Sequence, residues 1–521
     1  MAESESVEPI STQLELVLKF CPEKTLEELQ SGFSTITDET VAFLDDRTNG
    51  MQKAFHREYL GPLTAYQLWL AIKRKRFEFN EHGCTETNDQ TRPAKSQSVL
   101  SRADRRSIFI PDLNRWAMMA IISTATINQS RALRDTFYRH LAFESFISAS
   151  FSPNGLWNSS PTFQLAFDLP FYVLRRASPH NPPQDRRPRG DNDTLRKVTD
   201  LTFLQRPTGS ETLILTDYLC EAQVSVLITG SDPQRWMAYC FIDTYFDPEE
   251  RRESVDSYLD DLIIDEDSHS SYDPDPFTTG ENDANYPMST PREYFLVVLD
   301  SRLRHVKDEW CVLTRGMSEM IKTCINTCPI AIFNPQSSNL DIRLAFVQSC
   351  AWAVKARKLL SQLIKTLKAT IKQLETFQAD RKFSTITGPA AGCVRTILAN
   401  TEQLGIDLQN LECLSQDCQD YIATITLYVD VETSSQVIKA RYRQAVNFIL
   451  LFIFTPIVLA ASVLYRVYKN MPLPLTYDSA LLLSLVMIFM VSIWLSVGIM
   501  RNWERIKSVS GIRVFKREVR G

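Results

Sequence analysis

Two uninterrupted apolar runs near the C-terminus constrain this chain more than any other feature. Ala445 to Tyr465 is 21 residues without a charged side chain, and Ser479 to Met500 is 22. An α-helix rises about 1.5 Å per residue, so about 20 such residues cross the hydrocarbon core of a bilayer. Both runs are apolar all round, whereas a helix on a soluble domain keeps a polar face. They are expected to be two transmembrane helices, 445–465 and 479–500. Only the 13 residues from Arg466 to Asp478 separate them, which predicts a tight antiparallel hairpin.

The flanking charges orient that hairpin. Lys439, Arg441 and Arg443 precede the first run, and the tail 501–521 carries seven basic residues against Glu504 and Glu518. Arg466 and Lys469 are the only bases between the runs. The positive-inside rule then places both termini on the cytosolic side. The opening residues, MAESESVEP, are acidic and lack an apolar core, unlike a secretory or transit peptide. The expectation is a multi-pass membrane protein with both termini cytosolic.

The rest of the chain has globular composition. Over 521 residues, 44% are hydrophobic and 23% charged, which excludes a wholly disordered, collagen-like or disulfide-scaffold protein. The net charge is −5, the tail carries +5 and the loop between the runs +1, which leaves −11 before Ala445. Eleven cysteines, an odd number spread from Cys21 to Cys418, suit reduced thiols in a reducing compartment.

Residues 1–45 read as a loosely ordered start with one amphipathic segment near 14–20, and 46–290 as a cytosolic α/β domain. Within it, RRSIFIPDLNRWAMMAIISTA reads as a strand entering a helix, with Asp112 as N-cap. A second helix is expected over 131–143. Four prolines among charges in 178–194 predict a surface linker. Alternating Ala222, Val224, Val226 and Ile228 predict a strand at 221–229, paired with another at 235–246 through Gly230-Ser231-Asp232-Pro233. From Asp243 to Asp283 there are 15 acidic residues and two basic ones. The stretch 247–283 reads as an acidic loop, either solvated or a surface for divalent cations or a partner.

Long helices take over in 291–444. One is expected over 292–325. A second, over 341–377, has an apolar stripe at Leu360, Leu363, Leu367, Leu374 and Phe377 and a basic solvent side of Lys355, Arg357, Lys358, Lys365, Lys368 and Lys372. A third begins near Cys393, where Leu404, Leu408, Leu411, Ser415, Cys418, Ile422, Ile425 and Val429 repeat at four- and three-residue steps, a coiled-coil seam. No Pro or Gly lies between Ile406 and Thr455. This stalk helix can therefore enter the first apolar run unbroken, about 110 Å over 73 residues.

Local catalytic motifs are absent: no GxxxxGK[ST], GxGxxG, HExxH or GxSxG. The histidines (His56, His82, His140, His180, His269, His305) share no ligand spacing, and each reads as a surface or capping residue. An enzyme, a bound cofactor and a resident metal site are not expected, and a soluble part near −11 does not suit nucleic acid.

An acidic cytosolic part, a long stalk and two C-terminal spans joined by a short loop resemble the CorA-type magnesium transporters. The blocks RRSIFIPDLNRWAMMAIISTA, LRDTFYRHLAF, TFQLAFDLPFYVLR, RWMAYCFIDTYF and PREYFLVVLDSRLRHVKDEW are similar to those of fungal proteins with a CorA-like transporter domain. The resemblance spans about Leu44 to Met500. It implies a homopentamer in the lipid bilayer, with the first span lining an axial pore and divalent cations of the magnesium type as cargo. CorA-type proteins carry Gly-Met-Asn at the outer end of the first span. This chain has Tyr465-Arg466-Val467-Tyr468-Lys469-Asn470-Met471 there, and basic rings suit anions rather than cations.

The fold expected is an α+β cytosolic domain, a long helical coiled-coil stalk and a two-helix C-terminal transmembrane hairpin, followed by a basic tail at 501–521. Asn447, Thr455 and Ser462 recur at intervals of eight and seven on one helix face, as pore-lining groups or helix contacts do. Arg466, Lys469 and Asn470 are the pore-mouth candidates. Two functions remain open: ion translocation by a homo-oligomer, and a non-transporting membrane-anchored interaction protein serving a fungal growth or cell-surface trait.

Overall fold

The computed structural model describes residues 10–22, 24–32, 39–47, 62–74, 104–151, 163–190, 193–205, 215–232, 235–258, 272–286, 290–332, 339–380 and 390–470, with helical residues 486, 489–490 and 493–494. The chain forms two compact units, Met1–Ile422 and Ala423–Gly521.

The first unit is built on an eight-stranded sheet. Its strands are β1 (Thr40–Arg47), β2 (Leu63–Thr64), β3 (Arg105–Pro111), β4 (Phe146–Phe151), β5 (Phe163–Ala177), β8 (Val198–Asp200), β9 (Thr216–Asp232) and β10 (Arg235–Ile242). The order is β2-β1-β3-β10-β9-β5-β4, with β8 also on β9. β6 (Pro188–Gly190) and β7 (Asp193–Thr194) form a separate small pair. Only β3 and β10 run parallel among the paired strands; the other pairings are antiparallel. β9 and β10 are the expected hairpin, longer at the β9 end than the alternation predicts. Gly230 is required where they close, because a Cβ there would lie 2.5 Å from the Arg235 carbonyl oxygen.

One face of the sheet is covered by α1 (Ile10–Phe20), α2 (Lys24–Ser31), α3 (Ala65–Lys73), α4 (Arg115–Thr124) and α5 (Ile127–Ala142). Val17, Phe20, Leu29, Leu68, Met118 and Phe137 from these helices share a core with Met237, Tyr239 and Phe241 of β10. Within the first 45 residues the described segments 10–22 and 24–32 are thus largely helical. Val17, Phe20 and Leu29 enter this core and Leu16 and Leu26 pack against it, whereas Leu14 and Leu18 of α1 stay exposed.

The alternate residues of the strands meet α6 (Pro291–Ile332) on the other face. Trp236 packs on Tyr294, Phe167 on Phe295 and Phe171 on His305, with ring centroids 5.2 to 5.9 Å apart. α6 buries Leu299, Leu303, Val306, Trp310, Leu313, Met317 and Ile321, a three- and four-residue stripe. α7 (Asn339–Ala379) follows it, burying Leu360, Leu363, Leu367, Thr370, Leu374 and Phe377 as the sequence stripe predicts. Part of the expected stalk is thus the second helical layer of the α/β unit.

Helix α8 runs from Ala390 to Asn470 without a break, 81 residues. In the first unit Gln378 Nε2 donates to Thr401 Oγ1 at 2.9 Å, and Trp352 meets Tyr421 with centroids 5.1 Å apart. These contacts set α8 antiparallel to α7. The buried stripe is Leu404, Asp407, Leu411, Leu414, Cys418, Tyr421 and Ile425. The expected seam shares four of these, while Leu408, Ser415 and Ile422 are only half-buried. Packing against two helices of the same chain selects a face rotated from the one that strict leucine spacing marks.

Candidate functional site

Polar chemistry in the first unit concentrates where the parallel strands β3 and β10 end. Asp112 follows β3 and Asp243 follows β10, so the parallel pairing brings the two carboxylates to one edge. Asp112 does not cap α4. That role belongs to Asn114, whose side chain accepts the Ala117 N–H at 2.9 Å. Asp112 instead adopts φ 50°, a conformation that Asp tolerates better than most residues. It accepts from the Thr244 N–H and hydroxyl, each at 2.8 Å, and from the Tyr245 N–H at 3.1 Å. Its carboxylate therefore pins the chain leaving β10, and burial raises its pKa.

Asp243 is the hub. Arg187 Nη1 donates to Oδ1 at 2.7 Å, Arg196 Nε to Oδ2 at 2.6 Å, and the Gln223 backbone N–H to Oδ2 at 2.9 Å. Asp185 takes two further bonds from Arg187, at 2.8 and 3.0 Å, and the Arg196 N–H at 2.9 Å. All four side chains are buried. Burial opposes ionisation of Asp243, but Arg187 and Arg196 outweigh it and hold the carboxyl well below the usual range. The described residues of the stretch 178–194 are mostly exposed, as a surface segment predicts, but two of them are not. Its Asp185 and Arg187 turn inward, because a guanidinium fork between two carboxylates satisfies charges that would otherwise be left dry.

His140, in the last turn of α5, is also fully buried rather than on the surface. Its Nδ1 lies 2.9 Å from Ser225 Oγ and its Nε2 3.8 Å from Asp243 Oδ1. Burial first, and then Arg196, push its pKa down to about 3, although Asp243 pulls the other way. The imidazole is neutral at physiological pH. Nearby, Arg139 donates to the buried Asp168 at 2.6 Å. The arrangement is an electrostatic clamp that joins α5, β9, β10 and the 185–196 strap.

A second clamp uses the acidic stretch. Arg47, at the end of β1, donates to Asp45 at 2.7 Å, to Asn285 at 3.2 Å and to Asp273. Arg105 reaches the Ala284 carbonyl at 2.8 Å. Arg302 of α6 holds Glu253 through two bonds of 2.8 and 3.0 Å and also reaches the Phe277 carbonyl at 2.9 Å. Burial works against the Glu253 carboxylate, and Arg302 overrides it and lowers its pKa. Several acids of the expected loop are thus internal partners for arginines. Residues 259–271 lie outside the described residues. Among the described residues, no three His, Cys, Asp or Glu side chains gather as a metal site.

The sequence-predicted pore positions all fall on α8 in the second unit. Asn447 is exposed, and Ser462 is exposed with its hydroxyl donating to the Leu459 carbonyl at 2.8 Å. Arg466 is exposed near the helix end. The side chains of Thr455, Lys469 and Asn470 lie outside the described residues, although their backbone is helical. Among the described residues no helix is long and apolar enough to cross a membrane. Many side chains of 445–465, and nearly all of 479–500, lie outside that set.

No protein-family model matches the sequence, and no curated protein matches it. Solved structures do align with it. The CorA magnesium transporter from Methanocaldococcus jannaschii is 10% identical, with 88% of this chain and 97% of that one covered and a TM-score of 0.30. The full-length CmaX protein is 11% identical, with 88% and 99% covered and a TM-score of 0.33. At these scores neither likeness bears on function.

Proposed function

We propose that this chain is a CorA-like multi-pass membrane protein that assembles with copies of itself and passes ions, with divalent cations as the cargo class. Both termini face the cytosol in this reading, and the α/β unit is a non-enzymatic regulatory or sensing domain. The observation that carries it is α8. One helix, Ala390–Asn470, contains the 21-residue apolar run 445–465 within its length and continues to Asn470. A helix that is packed in a globular unit at one end and apolar all round at the other suits a stalk entering a bilayer. Asn447 and Ser462 would then line the pathway, and Arg466 would sit at its mouth. The sequence resemblance supplies the cargo class and a pentamer as the assembly to look for.

The test is reconstitution of the purified protein into liposomes with trapped dyes for magnesium, cobalt and chloride, against empty vesicles. Magnesium or cobalt entry above background is the expected result. Replacing Arg466 and Lys469 together with Asn is expected to raise cation flux, since it removes positive charge from the mouth. Chloride flux alone would reassign the cargo to anions. No flux from folded, oligomeric protein would leave the second reading, an anchored interaction module. The basic pair Arg466 and Lys469, standing where Gly-Met-Asn is expected, favours that reading.

A further inference from the structure

α7 and α8 carry opposite charge on their outward faces. From Ile342 to Leu374 there is no acidic residue, and from Thr396 to Ile438 there is no basic one. On α7, Lys355, Arg357, Lys358, Lys365, Lys368 and Lys372 are all exposed, and the stripe from Leu360 to Phe377 lies buried on the opposite side. On α8 the exposed acids Glu402, Glu412 and Asp417 stand opposite the buried stripe from Leu404 to Cys418. At 100° per residue each charged set is centred about 180° from its own buried stripe. The two sets have matching lengths, about 26 Å for 355–372 and about 23 Å for 402–417 at 1.5 Å per residue.

Among the described residues neither face finds its counter-charge within the chain. Lys355 lies over the Phe203 ring at 5.9 Å. Among the described residues no ion pair engages Lys358, Lys365, Lys368, Lys372, Glu402, Glu412 or Asp417. Large apolar side chains lie among the charges as well. Val354 is 56% exposed in the basic face, and Leu398 and Ile406 are 41% and 51% exposed in the acidic one.

We infer that the basic face of α7 in one copy seats on the acidic face of α8 in the next copy. The contact rests on the homo-oligomer proposed above and names the surface that builds it. It is heterologous, because two different faces meet, and a heterologous contact closes into a ring when its rotation divides a full turn. Within one chain α7 and α8 are antiparallel neighbours through their apolar stripes, which leaves both charged faces pointing away from that packing. A second copy supplies the missing counter-charge, and like-charge repulsion rejects α7-on-α7 and α8-on-α8 pairings.

The full chain in mild detergent, measured by native mass, tests this. The wild type is expected to be oligomeric. A basic-face triple, Lys358→Glu, Lys365→Glu and Lys372→Glu, should weaken assembly at least about tenfold, as should an acidic-face triple, Glu402→Lys, Glu412→Lys and Asp417→Lys. Carrying both triples in one chain should restore the oligomer, since every contact is then complementary with its signs reversed, whatever the number of copies in the ring. If reversal lowers the melting temperature of either triple, the corresponding Gln and Asn sets replace it, and the mass readout is unchanged. Oligomers that survive both triples overturn the contact while leaving the homo-oligomer standing. Dissociation without rescue by the combined variant overturns the α7–α8 pairing. A monomeric wild type removes the homo-oligomer itself, and the contact with it.

Discussion

At the ends of β3 and β10, Asp243, Arg187 and Arg196 are buried, and both oxygens of Asp243 meet a guanidinium. On α7, by contrast, Lys358, Lys365 and Lys372 are exposed and meet no carboxylate among the described residues. The same chain therefore handles charge in two ways. In the sheet, opposite charges are drawn together from distant segments, as in Arg187 with Asp243 and Arg47 with Asp273, and removed from water. On the long helices, like charges are gathered on one face and left in water. A buried charge is costly unless paired, so its partner must come from the same fold. An exposed charge costs little alone, and its partner can be another molecule.

Removing the hub should have the largest effect. Asp243→Ala strands two buried guanidinium groups, and a loss of about 5 kcal/mol, the upper end for breaking a buried pair, is expected in denaturant unfolding. Unchanged stability would mean that Arg187 and Arg196 find other acceptors, and that the clamp does not hold the strap. Arg302→Met should cost less, about 3 kcal/mol, because Glu253 keeps the Tyr258 hydroxyl and some contact with solvent. The same unfolding curves give that comparison.

His140 sharpens the contrast through pH. Its folded pKa of about 3 lies below the unfolded value near 6.5. Between those values the unfolded chain binds the extra proton, so this residue's contribution to stability is lost as pH falls. The slope is at most about 1.4 kcal/mol per pH unit. His140→Asn should flatten the stability profile by one proton in that window, measured as the difference between the two proteins from pH 6.5 to 4. Equal slopes would show that the imidazole is not held neutral. The smallest effect is expected at an exposed pair. Glu281 and Arg304 are 2.7 Å apart with 46% and 41% of their side chains exposed, so Glu281→Ala should cost under about 1 kcal/mol. A cost as large as that of Arg302→Met would erase the distinction between buried and exposed charge.

Regular spacing made much of the fold legible. The β9–β10 hairpin, the strand before α4 and the three long helices follow from period-two and 3.6-residue patterns that depend on neighbours along the chain. The buried stripe of α7 falls where its leucines place it. The polar network was not legible. His140 has no sequence neighbour that suggests burial, and Asp185 and Arg187 sit in a proline-rich stretch that reads as solvent-exposed. Asp112 stands where an N-cap is expected, yet it bonds Thr244 and Tyr245, more than 130 residues away. One signal was available, the density of arginine among the strand residues Arg47, Arg105 and Arg106, which a buried sheet would not carry without acids to meet them. The candidate positions on α8 were marked by the interruption of an apolar run, again a local pattern.

By itself the sequence determined what depends on near neighbours: the periodicity of helices and strands, the length and apolarity of 445–465 and 479–500, and the one-signed faces of α7 and α8. Hydrophobic burial and helix geometry act over a few residues, so those features can be read along a line. Only the tertiary structure decided which charges are partners. Asp243 meets Arg187 and Arg196 from 56 and 47 residues away, and Arg47 meets Asp273 across 226. An ion pair depends on distance in space and on exclusion of water, and neither is written in the order of the residues.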